Sequence, residues 1–311
     1  MKRVLVLTLV AVLLPHTVLA SEIFEKVGTY AAQFLKIGVS ARATGMGSAF
    51  TAVANDASAA YWNPAGLVDV DGTVVAVHHT EWPADINLDY ANYTFSPTFI
   101  RGKVSLHARG LTMDPQVVRT IFRQNGTGEM FDAGDMSFGL SYARYFTDKF
   151  SAGATVSWVH MGLADRSVNT FVTDFGLQYR IGIRGMTLGM AVQNIGAEVN
   201  FDERASKMPT VFKVGLAVDT YNAGPHSVVT VGEFSRPSDN SERSNFGLEY
   251  AYNQFMFLRT GYNLNYDADN FAAGAGIALQ TSQSTSIDVD YSFVDMDALG
   301  GVHRVSLGFR Y

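Results

Sequence analysis

The stretch FLKIGVSARATGMGSAFTAVANDASAAYWNPAGL, Phe34 to Leu67, decides how the chain is read. It is crowded with small residues: Gly38, Ala41, Ala43, Gly45, Gly47, Ala49, Ala52, Ala54, Ala57, Ala59 and Ala60. No stripe of large apolar residues recurs at helical or strand spacing, so this is not an ordinary core element. It ends in Asn63-Pro64-Ala65-Gly66, a turn signal in which proline fixes one φ and glycine can take a positive one. Small side chains let backbone approach backbone closely, which suits a segment that fills the inside of something already shaped.

The same run carries a family resemblance. Gly38, Ala41-Arg42, Gly45-Met46-Gly47, Ala49-Phe50-Thr51-Ala52, Asp56, Ser58 and Tyr61-Trp62-Asn63-Pro64-Ala65-Gly66-Leu67 occur in this order. The run resembles the N-terminal signature of PorV/PorQ-type outer-membrane proteins, which are similar to the wider FadL-like class of barrels. The resemblance covers only this segment. It implies a transmembrane β-barrel whose N-terminal segment folds into the lumen as a plug, with Gly38, Arg42, Gly45, Gly47, Asp56, Asn63, Pro64 and Gly66 as its motif. It also implies one of two roles. A PorV/PorQ-like protein would be an interaction component of type IX secretion-like protein export. A FadL-like one would be a channel for hydrophobic small molecules, gated by the plug.

Composition points the same way. The 311 residues include no Cys, 29 Gly, 14 Tyr and 21 Phe, with 17% charged. Without cysteine there are no disulfides, thiolate metal sites or cysteine nucleophiles. In a membrane barrel only alternate residues face lipid, so a near-neutral mean hydropathy of +0.07 is expected.

Residues 1–20 read as a signal peptide. Lys2-Arg3 precede an apolar run from Val4 to Leu14, and Val18-Leu19-Ala20 precede Ser21. The run is too short to span a bilayer as a helix, and no later run of about 18 apolar residues exists. Removing Lys2 and Arg3 leaves 21 basic against 29 acidic residues. That balance argues against nucleic acid as a partner. The expected organisation is residues 1–20 leader, 21–72 plug and 73–311 barrel, in the outer membrane of a Gram-negative-type bacterium.

From Thr73 onward the sequence falls into about 14 segments of roughly ten residues separated by turn signals. Phe171, Thr173, Phe175, Leu177, Tyr179 and Ile181 share one face of a strand, and Val172, Asp174, Gly176, Gln178 and Arg180 the other. Ile287, Val289, Tyr291 and Phe293 alternate with Asp288, Asp290 and Ser292. The third strand sets Val104 and Leu106 against Arg101, Lys103, Ser105, His107 and Arg109. Gly215, Gly247, Gly274, Gly276 and Gly308 fall on the polar faces, where small residues alone could not fill a soluble barrel of this width. The apolar face carries aromatics near strand ends, namely Phe150, Trp158, Tyr250, Tyr252, Tyr262, Phe309 and Tyr311. The reading is lipid outside and a polar lumen inside. The first two segments and His226–Arg236 alternate poorly, as a bulge or slipped boundary would produce.

With the N-terminus in the periplasm, the periplasmic connections are all short. Two outer ones, Thr112–Gly134 and Ala197–Pro209, are long, while Pro83–Asp85 is unusually short for an outer loop. The closing strand ends on Phe309-Arg310-Tyr311 and resembles the signal read by the barrel-assembly machinery.

Catalytic patterns are missing: there is no Gly-x-Ser-x-Gly, His-Glu-x-x-His or phosphate loop, and no cofactor motif. The adjacent His78-His79 must point to opposite faces of a strand, so lumen or rim histidines fit better than metal ligands. An enzyme is not expected. Asp219, Glu249, Asp288 and Asp290 face Arg101, Lys103, Arg109, Arg180, Arg259 and Arg304 inside the barrel, with Arg42 of the plug as a partner for the acids. These charges either hold the plug or line a path for a solute. In the long loop, Asp114 reads as an N-cap and Pro115 as a first helical residue. Val117, Val118, Ile121 and Phe122 would then share one helical face, packed on the rim or offered to secreted cargo or a hydrophobic solute.

Overall fold

In the computed structural model, residues 28–201, 205–282 and 284–311 are described; the leader assigned to residues 1–20 lies outside them. Fourteen antiparallel strands close into a barrel. They are β1 (Val74–Trp82), β2 (Ile86–Phe95), β3 (Lys103–Met113), β4 (Ala133–Tyr145), β5 (Phe150–Leu163), β6 (Arg166–Arg180) and β7 (Thr187–Gly196). The second half comprises β8 (Val211–Ala223), β9 (His226–Pro237), β10 (Arg243–Tyr252), β11 (Met256–Leu264), β12 (Phe271–Gln280), β13 (Ser286–Asp295) and β14 (Gly301–Arg310). Each strand pairs with its neighbours in sequence, and closure comes from β1 against β14, with Val74 opposite Arg310 and Glu81 opposite His303. No sheet edge is left open, the condition a spanning sheet must meet in lipid. Among the described residues no helix is long and apolar enough to cross a membrane.

Alternation sets the two faces. On β6, Phe171, Phe175, Leu177 and Tyr179 are exposed while Val172, Asp174 and Gln178 are buried inward. β1 and β2 also alternate cleanly: Val75 and Val77 face out, and Val74, Ala76, His78, Leu88 and Tyr90 face in. The sequence hid this because the lumen beside them is itself apolar, with Leu88 and Tyr90 packed on Val39, so both faces of the strands carry hydrophobic residues. The irregularity suspected in His226–Arg236 belongs to its partner strand, where the β8–β9 register shifts between Asp219 and Tyr221. A second shift, between Thr173 and Phe175, sits beside Asn194 at φ +60°, whose N–H donates to Asp174 Oδ1 at 2.6 Å.

Four histidines decorate the outer face near strand ends. Each meets a polar neighbour: His79–Asp89, His160–Asn169, His226–Tyr250 and His303–Tyr291. His78 and His107 point inward. Arg101 is corrected: it lies exposed in the connection before β3, outside the strand and outside the lumen.

The long loop is also corrected. Val117, Val118, Ile121 and Phe122 form no helix; Gln116–Val117 pairs with Met130–Phe131 in a small hairpin. Val118 exchanges backbone hydrogen bonds with Glu129 and Thr127. β-branched Val117 and Val118 favour extended backbone, and Gly126 and Gly128, at φ +114° and +92°, let the chain turn back. That return offers the backbone a partner a solitary short helix would lack.

Residues 30–72 run inside the barrel. They begin at Tyr30, bridged to Lys207, and leave at Thr73, paired with Tyr311. Between these points lie short turns: 3-10 turns at Gln33–Lys36 and Pro64–Asp69, and helices α1 (Ala41–Gly45) and α2 (Ala59–Trp62). The main hydrophobic cluster is this segment itself, with Met46, Phe50, Trp62 and Leu67 at most 1% exposed. Removing each such side chain from water contributes roughly 1.5–3 kcal/mol.

Candidate functional site

The segment and the wall it touches are fitted at backbone level. A methyl group added to Gly66 would sit 1.7 Å from Ala54 O, and one on Gly261 of β11 would sit 2.0 Å from Gly47 N. Gly153 faces Pro64, Gly176 faces Asn63, Gly189 faces Thr51 and Gly247 faces Met46, each closer than a real Cβ would allow. Gly45 and Gly274 meet Cα to Cα, with 3.1 Å left for a Cβ. The lumen is thus ringed by glycines from β5 to β12 at the level of the segment. Gly47 is additionally at φ +63°, where only glycine is unstrained. Of the five inward glycines noted in sequence, Gly215, Gly247 and Gly274 touch the segment; Gly276 and Gly308 instead adjoin the Asp290 and Asp288 side chains. Gly176 was placed on a polar face in sequence without a role, and Gly153, Gly189 and Gly261 carry no sequence reading, although each sits within a strand.

Polar contacts fix the register of the packing. Asn63 accepts the Ala65 N–H at 3.2 Å and donates to Thr51 O at 2.8 Å and to Leu177 O of the wall at 3.1 Å. Pro64 then opens the 3-10 turn where a missing N–H costs nothing. Trp62 Nε1 donates to Val39 O at 3.0 Å, beside Gly38. Glu233 of β9 accepts the Phe50 and Thr51 N–H groups at 3.0 and 2.8 Å, and Ser306 of β14 accepts the Ala41 N–H at 2.8 Å. Sequence reading passed over Glu233 and Ser306; their only signal is an inward polar residue in mid-strand.

Arg42 is the electrostatic centre. Its Nε and Nη2 donate to the two Glu249 oxygens at 2.9 Å each, and Nη1 donates to Asp56 at 3.0 Å and to Asn55 at 2.7 Å. Glu249 also accepts from Arg259 at 2.6 Å, and Arg259 reaches Asp290 at 2.5 Å. Burial alone would lower the Arg42 pKa; Glu249 and Asp56 more than offset this and raise it, so the guanidinium stays charged. Asp56 meanwhile accepts the Ser58 N–H at 2.9 Å, tying the network to the turn before α2. Elsewhere Arg109 stacks on Tyr61 at 4.4 Å, Lys103 donates to Gly72 O at 2.8 Å, and Arg180 pairs with Asp69.

The segment separates two cavities of unlike character. At the short-turn end lies a space of about 1340 Å³, faced by Arg42, Asp56, Asp219, Arg259, Asp288 and Asp290. At the long-loop end is one of about 120 Å³, faced by Gly38, Thr44, Tyr61, Trp62, Trp82 and Arg304 among others. Above the smaller one, Phe34 and Leu35 pack against Val199 and Met208 of the loop after β7. Lys36 and Gln33 there donate to Asp239 at 2.6 and 2.9 Å. Burial would push the Asp239 carboxyl up, but these two donors hold it below the ordinary carboxylate range. Among the described residues, no group of three His, Asp or Glu is placed to hold a metal ion. Ile121 and Phe122 stand apart from all of this, 82% and 90% exposed at the tip of the long loop, with Val117 and Val118 half-buried at its base.

The model of an uncharacterised protein family, UPF0164, matches residues 16–108, which take in the segment, the first two strands and the start of the third. No curated protein matches the chain. Solved structures resemble it along most of its length. The toluene transporter TbuX of Ralstonia pickettii is 14% identical at a TM-score of 0.61, covering 88% of this chain and 97% of its own. The toluene transporter TodX of Pseudomonas putida is 12% identical at 0.55, with 86% and 96% covered. A FadL homologue of Pseudomonas aeruginosa is 13% identical at 0.53, with 88% and 98% covered. The barrel fold of this chain is like that of these solved proteins.

Proposed function

We propose that the protein is a passive outer-membrane channel for hydrophobic small molecules, with residues 21–72 as a plug that gates it. The observation that carries this reading is the seating of the segment across a closed barrel, with a cavity on either side of it. The solved barrels of like fold include two named as toluene transporters, which supports a small apolar solute. The contacts that hold the segment to the wall are tight packing plus a few ion pairs, and both are reversible. The long-loop end faces outward from the cell, the closing strand engages the barrel-assembly machinery, and the apolar belt meets outer-membrane lipid.

A second reading has its own support. The Phe34–Leu67 run resembles PorV/PorQ-type proteins, and Ile121 and Phe122 offer an apolar tip to secreted cargo of a type IX-like system. One experiment separates the two: a deletion strain is assayed for toluene uptake and for its secreted proteins. Slowed uptake with normal secretion supports the channel. Lost secretion with normal uptake overturns it in favour of the export component.

A further inference from the structure

The cavity at the long-loop end holds charged groups that the protein leaves unmatched. Arg304 enters it from β14, is 5% exposed, and lies over the Trp82 ring at 5.5 Å; its Nε and Nη1 have no hydrogen-bond partner. Arg243 comes from β10, stacked on Tyr266 at 4.4 Å, with a buried and unpartnered Nε. Asp269, in the connection before β12, lines the same space and keeps a buried Oδ1 without a partner. Burial raises the Asp269 pKa, and the attraction of Arg304 and Arg243 pulls it back, so the three charges sense one another. Among the described residues no ion pair joins them.

The other charges at this cavity are committed. Glu233 caps the Phe50 and Thr51 N–H groups and lies 4.0 Å from Lys213, which itself sits over Trp62 at 4.7 Å. Lys36 is held by Asp239. What remains is two guanidinium donors and one carboxylate acceptor around about 120 Å³, room for about four waters at ~30 Å³ apiece. Buried charge left unmatched is costly, and an occupant that supplies both missing partners relieves it.

We propose that this cavity binds a small zwitterion, an α-amino acid of the size of glycine or alanine, with its carboxylate on Arg304 and Arg243 and its ammonium group on Asp269. The orphaned donors and acceptor match the two ends of one such molecule. The site stands independently of the hydrocarbon-uptake reading.

Calorimetric titration of the full-length protein in detergent tests it with three probes: L-alanine, propionate and ethylammonium. L-alanine should bind saturably, at least about tenfold tighter than either half-molecule. Arg304→Gln and Asp269→Asn, each first checked for heat-modifiable barrel formation, should weaken L-alanine about ten- to hundredfold, the loss expected for one charge-assisted contact. Asp269→Asn should not weaken propionate. The wild-type ranking of the three probes needs no variant and decides the matter even if a variant fails to fold. No saturable L-alanine binding, meaning water alone fills the space, overturns the proposal. So does propionate binding as tightly as L-alanine, the behaviour of a plain anion site.

Discussion

Two stretches lie outside the barrel wall and drew attention in sequence: Phe34–Leu67 and the loop between β3 and β4. The first is almost wholly buried, with backbone packed on backbone and its polar atoms tied to Asn63, Glu233, Glu249 and Ser306. The second stands in solvent, held by a two-residue ladder, with its largest side chains uncovered. Side-chain size explains the contrast. A segment of Ala and Gly has little to gain from water exclusion unless it is enclosed, and enclosure is possible because the wall supplies its own glycines. A loop bearing Ile and Phe without a facing surface has nothing to be enclosed by.

The contrast can be broken most strongly at the glycines. Gly66→Val or Gly261→Val should dislodge the segment, since the added carbon meets backbone that cannot move aside. Larger single-channel conductance and new protease cleavage within residues 34–67 are the expected readouts. Gly308→Ala, on the same lumen wall, meets the Asp288 side chain no closer than 3.5 Å, an ordinary contact, and should leave both unchanged. Equal behaviour of the three variants would show that backbone fit does not hold the segment.

A smaller effect is expected from charge. Glu249→Gln removes the carboxylate shared by Arg42 and Arg259. Beside a wide, water-accessible cavity the loss is about 1–3 kcal/mol, less than for a fully enclosed pair. It should appear as raised conductance noise with the barrel's heat-modifiability intact. Unaltered conductance would reduce the network to lining.

Acid gives a milder test. The Asp239 pKa is depressed in the folded protein, so its contribution is present above the ordinary carboxylate value and is lost as pH falls through the lower folded one. Protection of residues 28–36 from protease should therefore decline below about pH 4, and Asp239→Asn should remove that pH dependence. The smallest effect belongs to the loop: Ile121→Ser with Phe122→Ser should shift stability by less than about 0.5 kcal/mol, because both side chains are already exposed. Thermal unfolding followed by gel mobility checks this, and a larger loss would show that the tip packs on something.

Barrel, strand count and lumen polarity were legible because period-two alternation is a local signal carried by every strand. Arg42 was legible as a partner for the lumen acids because a lone cation amid alanines needs an anion. The glycine ring was only partly legible. Gly153, Gly176, Gly189 and Gly261 lie on separate strands, and only closure of the sheet brings them to one level. The loop was misread because Asp114-Pro115 is a sound helix start, but helix needs a covered face to persist and this one has none. Pairing with Met130–Phe131 is non-local and has no signature at Pro115.

The central claim is that residues 34–67 sit inside the barrel in this register, and one disulfide tests it directly. Thr44 Oγ1 and Ser292 Oγ of β13 are 2.8 Å apart, and the chain has no cysteine of its own. Thr44→Cys with Ser292→Cys should cross-link on mild oxidation in intact outer membranes, shift mobility on a denaturing gel, and hold conductance at its lowest level until reduced. Two thiols that stay free and react separately with a maleimide would contradict the account.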